Sequence, residues 1–317
     1  MIMKIKILDA ATLGSDIDLS LFYELGDTEI FSLTPREELC SRVADAEVCI
    51  INKVRFDREV IDAAKNLRLI CVAATGYDNI DTAYCAERGI AVCNVAGYSS
   101  NSVSQLTVAM VLSAATNLPA FRASVADGTY SRGNVQNILT PVYHELCGKT
   151  WGIIGYGGIG RKVGAVAEAL GCRVVVNKRI PTDDAECLSL DALLAVSDIV
   201  TVHVPLTDRT RGMIGEHELS IMKDGVILVN VARGAVLDEE AVRAAVESGK
   251  LGFFGCDVYS TEPMPESHPY YRIRSRDNVC LTPHMAWGAY EARERCMNEI
   301  KKNIRAFLDG ERRNRIV

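Results

Sequence analysis

The feature that most limits what this chain can fold into is a glycine pattern set at one particular place. Gly155, Gly157 and Gly160 follow directly on the apolar run Trp151 to Ile154, and an apolar-periodic segment starts at once behind them. A first glycine here permits a tight strand-to-helix turn, a second lets the backbone approach a pyrophosphate, and a third lets helix and strand pack closely. The helix N-terminus then points unsatisfied N–H groups at an anion. A bare G-x-G-x-x-G would merely end a strand, but here a strand precedes it, a helix follows, and a further strand lies at Val174 to Val176. That context makes Gly155, Tyr156, Gly157, Gly158, Ile159 and Gly160 a candidate cradle for a dinucleotide.

The rest of the chain repeats the same alternation. Ile5 to Asp9, Val48 to Ile51, Leu69 to Ala73 and Ala91 to Asn94 read as buried strands. Helices Arg36 to Ala44, Arg58 to Lys65 (N-cap Asp57) and Thr82 to Arg88 (N-cap Asp81) lie between them. A nearly all-round apolar helix from Ser99 to Leu118 has to be buried between layers or domains, and a polar stretch runs from Ala126 to Cys147. Strands then recur at Thr150 to Gly155, Arg173 to Asn177, Ile199 to Val204, Val226 to Asn230, Phe253 to Asp257 and Val279 to Thr282. Their helices are Ile159 to Leu170, Leu190 to Val196, Gly215 to Met222 and Glu239 to Ser248, the last opened by Asp238. Such alternation predicts an α/β protein with two parallel-sheet, Rossmann-like or flavodoxin-like domains and an active site in the cleft between them. With 317 residues there is chain enough for both. The expected division is residues 1–99 with 288–317, and residues 100–287, the closing helix Ala289 to Leu308 returning to the first domain.

Composition excludes several classes. A formal charge of −6 gives no broad positive field for a nucleic acid. The eleven cysteines are odd in number, scattered through apolar runs, and read as buried free thiols. No C-x-x-C or local His/Cys cluster predicts a metal. Lys4 and Lys6 interrupt the N-terminal apolar segment, so it is not read as a signal peptide, and no run is long enough for a membrane helix. The cytoplasm is the expected location.

The strand after the glycine turn ends in Asn177, Lys178 and Arg179, where an NAD-binding fold would place an acid for the ribose 2′-hydroxyl. Lys178 and Arg179 either pair with the 2′-phosphate of NADP or are solvated loop charges. NADP is the preferred expectation, with NAD also accommodated.

Three charged residues fall at or beyond strand ends of the second domain: Arg233, Glu262 and His284. Reducing a ketone by hydride requires a proton donor for the oxygen and a cation for the substrate carboxylate. His284 and Arg233 suit those needs, and Glu262, if bonded to His284, would hold the imidazolium and raise its pKa. Singly, each has an ordinary alternative as a surface ion pair, a loop charge or a packed polar residue.

The segments Gly155 to Gly160, Asn230-Val231-Ala232-Arg233-Gly234, Asp257-Val258-Tyr259 leading to Glu262-Pro263, and Thr282-Pro283-His284 together resemble the D-isomer-specific 2-hydroxyacid dehydrogenase family. The resemblance spans nearly the whole chain. It implies that Arg233 binds substrate, Glu262 supports the histidine and His284 is the acid–base. It further implies that the backbone at Thr75 and Gly76 receives the substrate carboxylate. Thr107 would contact cofactor phosphate, His203, Val204 and Pro205 would flank the adenosine, Val231 and Ala232 would line the cofactor site, and Asp257 would face the nicotinamide amide. Asn94 to Ser99, Ser102 to Gln105 and Ala286-Trp287 are most similar to the glycerate dehydrogenase or hydroxypyruvate reductase branch, which implies small 2-oxo or 2-hydroxy acids as substrates and a homodimer. Relatives of other kinds keep the readings of a dinucleotide-sensing, corepressor-like binding module and of a formate- or phosphite-type dehydrogenase open.

Overall fold

The computed structural model describes residues 3–181 and 183–317. They divide into two compact units, Met1–Ser99 with Gly288–Val317, and Ser100–Trp287.

The first unit is built on β1 (Lys4–Ile7), β2 (Asp27–Ile30), β3 (Val48–Ile51), β4 (Leu69–Val72) and β5 (Ala91–Cys93), all parallel in the order β2-β1-β3-β4-β5. β3 and β4 are buried along their whole length, as their uninterrupted apolar sequences require of a sheet covered on both faces. Helices α1 (Arg36–Val43), α2 (Arg58–Ala63) and α3 (Thr82–Glu87) make the crossovers. Asp57 accepts the Val60 N–H and Asp81 the Tyr84 N–H, caps that each stabilise a helix by about 1 kcal/mol. β2 carries the sequence Asp-Thr-Glu-Ile with only partial burial, an edge strand without an apolar signature, and it lies outside the strands expected from the pattern.

The second unit opens with α4 (Ser100–Thr116), α5 (Leu118–Ala126) and α6 (Thr129–Arg132). The single helix expected from Ser99 to Leu118 is therefore broken. Asn117 takes a left-handed φ of 49°, a conformation asparagine tolerates, and the axis turns by 64° into α5. Nor is α4 buried all round: Val103, Thr107, Met110, Val111 and Ala115 form its inner face, while Leu112 is exposed. α6 falls inside the polar stretch from Ala126 to Cys147. No single helix among the described residues is long and apolar enough to cross a membrane.

The seven-stranded sheet follows, with β6 (Thr150–Ile154), β7 (Arg173–Asn177), β8 (Glu186–Cys187), β9 (Ile199–Val202), β10 (Val226–Asn230), β11 (Leu251–Cys256) and β12 (Val279–Leu281) in the order β12-β11-β10-β9-β6-β7-β8. All pairings are parallel. Its helices are α7 (Gly158–Ala169), α8 (Leu190–Val196), α9 (Glu216–Ile221) and α10 (Glu239–Glu247). Asp238 caps α10 by accepting the Glu240 and Ala241 N–H groups. Strand order reverses between β6 and β9, the switch point where ligands of open α/β sheets bind beyond the strands' carboxyl ends. The last helix, α11 (Tyr290–Leu308), belongs to the first unit, where its Asn303 donates to the Asn94 carbonyl and the tail lies along β5 through Ile316 N–H to Val92.

Candidate active site

The glycine turn leaves β6 at the switch point. Gly155 has φ 95°, and a Cβ there would meet the His203 carbonyl at 2.7 Å, so no other residue fits both the angle and the space. A Cβ on Gly160 would strike the Gly155 oxygen at 2.3 Å, which shows how closely α7 sits on the turn. At Gly157, the N-cap of α7, nothing lies within 4 Å of the same construction. The twelve-residue helix thus begins beside open space that a side chain would fill, an arrangement suited to a pyrophosphate.

Around this turn the other expected cofactor residues differ in what they offer. The Asn177 carbonyl accepts the Gly155 N–H at 2.8 Å and its side chain donates to the Leu188 carbonyl, so Asn177 fixes the turn. Lys178 is half-buried and Arg179 exposed just beyond it. His203 follows β9; its N–H donates to the Ile154 carbonyl, and both ring nitrogens are buried with no hydrogen-bond partner among the described residues. Burial pushes its pKa down to about 3, so the ring is neutral. Val204 borders Gly155 through its Cγ1, and Pro205 accepts the Thr210 hydroxyl. Thr107 is fully buried with its hydroxyl donating to the Val103 carbonyl within α4.

The charged trio sits on three loops of the same unit. After β10, the buried Asn230 donates to the Arg233 carbonyl at 3.0 Å and accepts the Ala232 N–H, tying Val231, Ala232 and Arg233 into a compact turn. The Arg233 guanidinium donates back to the Ala232 carbonyl at 2.8 Å. A Cβ on Gly234 would lie 2.1 Å from the Tyr259 carbonyl carbon and 2.2 Å from the Ser260 nitrogen, so the arginine's turn rests directly on the loop that carries Glu262. In that loop Tyr259 donates its N–H to Glu262 Oε1 at 3.0 Å. The other oxygen, Oε2, lies 2.6 Å from His284 Nδ1.

His284 follows β12 with φ 53°, a left-handed conformation that needs outside support. Asp257 supplies it. This carboxylate, fully buried at the end of β11, accepts the Thr282 hydroxyl at 2.6 Å and the Met285 and Ala286 N–H groups at 2.8 Å each. Burial pushes the Asp257 carboxyl above its usual range, against the pull of those donors. In this arrangement the Asp257 oxygens brace the loop bearing His284. The Tyr259 hydroxyl adds a bond to the Thr282 carbonyl at 2.9 Å, a contact no local sequence signal predicts.

Thr75 and Gly76 follow β4 in the first unit. There the Thr75 hydroxyl donates to the Val95 carbonyl at 3.0 Å, and its own carbonyl accepts from Asn94 at 2.7 Å, so this loop too is fixed by its neighbours.

Comparison with known proteins agrees with the reading of the motifs. Residues 108–286 match the family model described as D-isomer specific 2-hydroxyacid dehydrogenase, NAD binding domain. The chain is 35% identical to the hydroxypyruvate reductase of Blautia hydrogenotrophica, over 97% of this chain and 98% of that protein. Among solved structures it is similar to D-lactate dehydrogenase from Aquifex aeolicus complexed with NAD and lactic acid, at 29% identity and a TM-score of 0.84, with 97% of this chain and 96% of the other covered. It is also similar to an acyclic imino acid reductase in complex with NADPH and D-arginine, at 27% identity and a TM-score of 0.88, covering 99% and 100% of the two chains.

Proposed function

Because the chain belongs to the D-isomer-specific 2-hydroxyacid dehydrogenase family and is an oxidoreductase of small 2-oxo and 2-hydroxy acids using a nicotinamide dinucleotide, we propose that it reduces hydroxypyruvate or glyoxylate, to D-glycerate or glycolate, and prefers NADPH to NADH. The observation that carries the proposal is the 2.6 Å contact of His284 with Glu262, on the same unit as the glycine turn.

The roles follow from the chemistry of each group. The turn from Gly155 to Gly160 holds the pyrophosphate at the start of α7, and when bound the reduced nicotinamide supplies the hydride for the 2-oxo carbon. Arg233 binds the substrate carboxylate through its planar fork of donors. His284 gives its Nε2 proton to the oxygen that becomes the hydroxyl, while Glu262 on Nδ1 fixes the ring's tautomer and stabilises its charged form. Val231, Ala232, His203, Val204 and Pro205 line the dinucleotide. Lys178 and Arg179 stand after β7 where a 2′-phosphate needs cationic partners, which supports NADPH.

Two further features support the setting. Cys49, Cys71, Cys85, Cys93, Cys172, Cys256 and Cys296 are buried free thiols, in keeping with a reducing, cytoplasmic environment. Leu118, Val125, Val135, Leu139, Val142 and Tyr143 are exposed between α4 and β6, a concentration of apolar surface suited to a homodimer contact.

The test is oxidation of NADPH and of NADH by the purified protein with hydroxypyruvate, glyoxylate, pyruvate and a branched 2-oxo acid offered separately. Fast hydroxypyruvate or glyoxylate reduction with NADPH favoured is the expected result. Fast turnover of only the branched acid would discard the substrate assignment, and tight dinucleotide binding with no turnover would favour a binding module.

A further inference from the structure

Glu239, the first residue of α10, takes no part in the chemistry described so far, yet its carboxylate holds the loop that carries Glu262. Oε1 accepts the Ser260 N–H at 2.8 Å, and Oε2 accepts the Ser260 hydroxyl. The same Oε2 faces His268 Nε2 at 2.9 Å. His268 Nδ1 accepts the Tyr270 N–H at 3.1 Å, so in the neutral ring the proton sits on Nε2, toward Glu239. The two side chains are only 10% and 3% exposed, which removes water as a substitute partner. Ser260 lies two residues before Glu262, so this carboxylate fastens the loop on the N-terminal side of it, with His268 packed beside it.

The connection continues inward through groups already described. Ser260 is bonded in the chain to Tyr259, whose N–H donates to Glu262 Oε1 and whose hydroxyl holds the Thr282 carbonyl before His284. We propose that Glu239 is a positioning residue for the reaction: by gripping Ser260 it sets the place of Glu262, and through Glu262 the orientation of the His284 ring. The inference rests on the reading of His284 as acid–base, and it names a residue five positions beyond the end of the Asn230 to Gly234 motif. An ordinary loop anchor would add stability alone. A positioning residue alters His284 and has no effect once Glu262 can no longer act.

Glu239→Gln tests the difference, because the amide keeps the volume but turns an NH2 toward one of the donors it now faces. Two readouts are required. In steady-state assays, E239Q is expected to lower kcat about tenfold while the Kd for the dinucleotide changes less than twofold; in a Glu262→Gln background the same change should cost less than about twofold. In proton NMR without substrate, the low-field imidazole N–H signal lost in His284→Ala should shift or exchange faster in E239Q. Ser260→Ala, which removes only the hydroxyl donor, should act in the same direction to a smaller extent and serves if E239Q folds poorly. Full additivity with E262Q, or a His284 signal unchanged in both variants, overturns the inference. If the unaltered protein reduces no 2-oxo acid, the proposed function fails, while the His284 signal still decides the role of Glu239.

Discussion

His284 Nδ1 lies 2.6 Å from Glu262 Oε2, a contact between residues 22 apart in sequence, each delivered by a loop beyond a different strand of one parallel sheet. The contact fixes the orientation of the ring through its Nδ1. His284→Ala removes the proton donor and should lower kcat by about 10²–10⁴ with dinucleotide affinity nearly kept. Glu262→Gln keeps the ring and should cost less in kcat. Unchanged turnover by either variant would remove the assignment.

Gly234→Ala should be damaging for a reason unrelated to backbone flexibility. The added methyl falls on the backbone of Tyr259 and Ser260, which cannot yield without moving Glu262. A loss of roughly 1–3 kcal/mol in unfolding free energy is expected, along with a fall in kcat. Denaturant titration and steady-state assays together check it, and a variant as stable and active as the parent would show the contact to be soft.

Cofactor choice should follow charge after β7. Replacing Lys178 and Arg179 together by alanine should raise KM for NADPH by about tenfold or more, the value of lost charge-assisted bonds of about 1.5–3 kcal/mol, and leave KM for NADH within twofold. Equal effects on both cofactors would mean that the two residues are solvated charges and nothing more.

His203 gives a pH dependence of stability with a definite sign. Its pKa is lowered by burial from 6.5 to about 3, so between those values the unfolded chain binds the proton that the folded one refuses. This contribution therefore favours folding above pH 6.5 and is progressively lost as pH falls through the window toward 3. Comparing urea midpoints at pH 7 and pH 4.5, His203→Leu should lose less stability on acidification than the parent protein. Identical losses would indicate that the ring is hydrated.

Much of the fold is legible because its strands announce themselves locally. Arg173–Asn177, Val226–Asn230 and the helix Leu190–Val196 are read from apolar runs to their terminal residues, since β-branched segments between turns have few alternatives. Asp57, Asp81 and Asp238 are recognisable as caps for the same reason. What escapes is whatever depends on partners distant in sequence. β2 is polar and acquires its structure by pairing with β1; the break at Asn117 is invisible within a continuous apolar stretch. At the site, the residue types of the trio are visible in the motifs, but the inward turn of Asp257 and the sealing of Thr107 are set by tertiary packing. Glu239 reads as a routine acidic residue at a helix start until Ser260 and His268 are seen to converge on it.

The membership of α11 in the first unit reverses the order in which the molecule can be finished. Residues 1–99 are made before the second unit, but the five strands they supply lack α11 and the segment against β5 until residues 288–317 have been made. The unit from Ser100 to Trp287, begun second, has all of its own segments as soon as Trp287 emerges. During synthesis the nucleotide-binding half is therefore complete while the apolar sheet of the first half is still waiting, and that sheet, with its parallel and slowly formed pairings, is the surface a nascent-chain chaperone would meet.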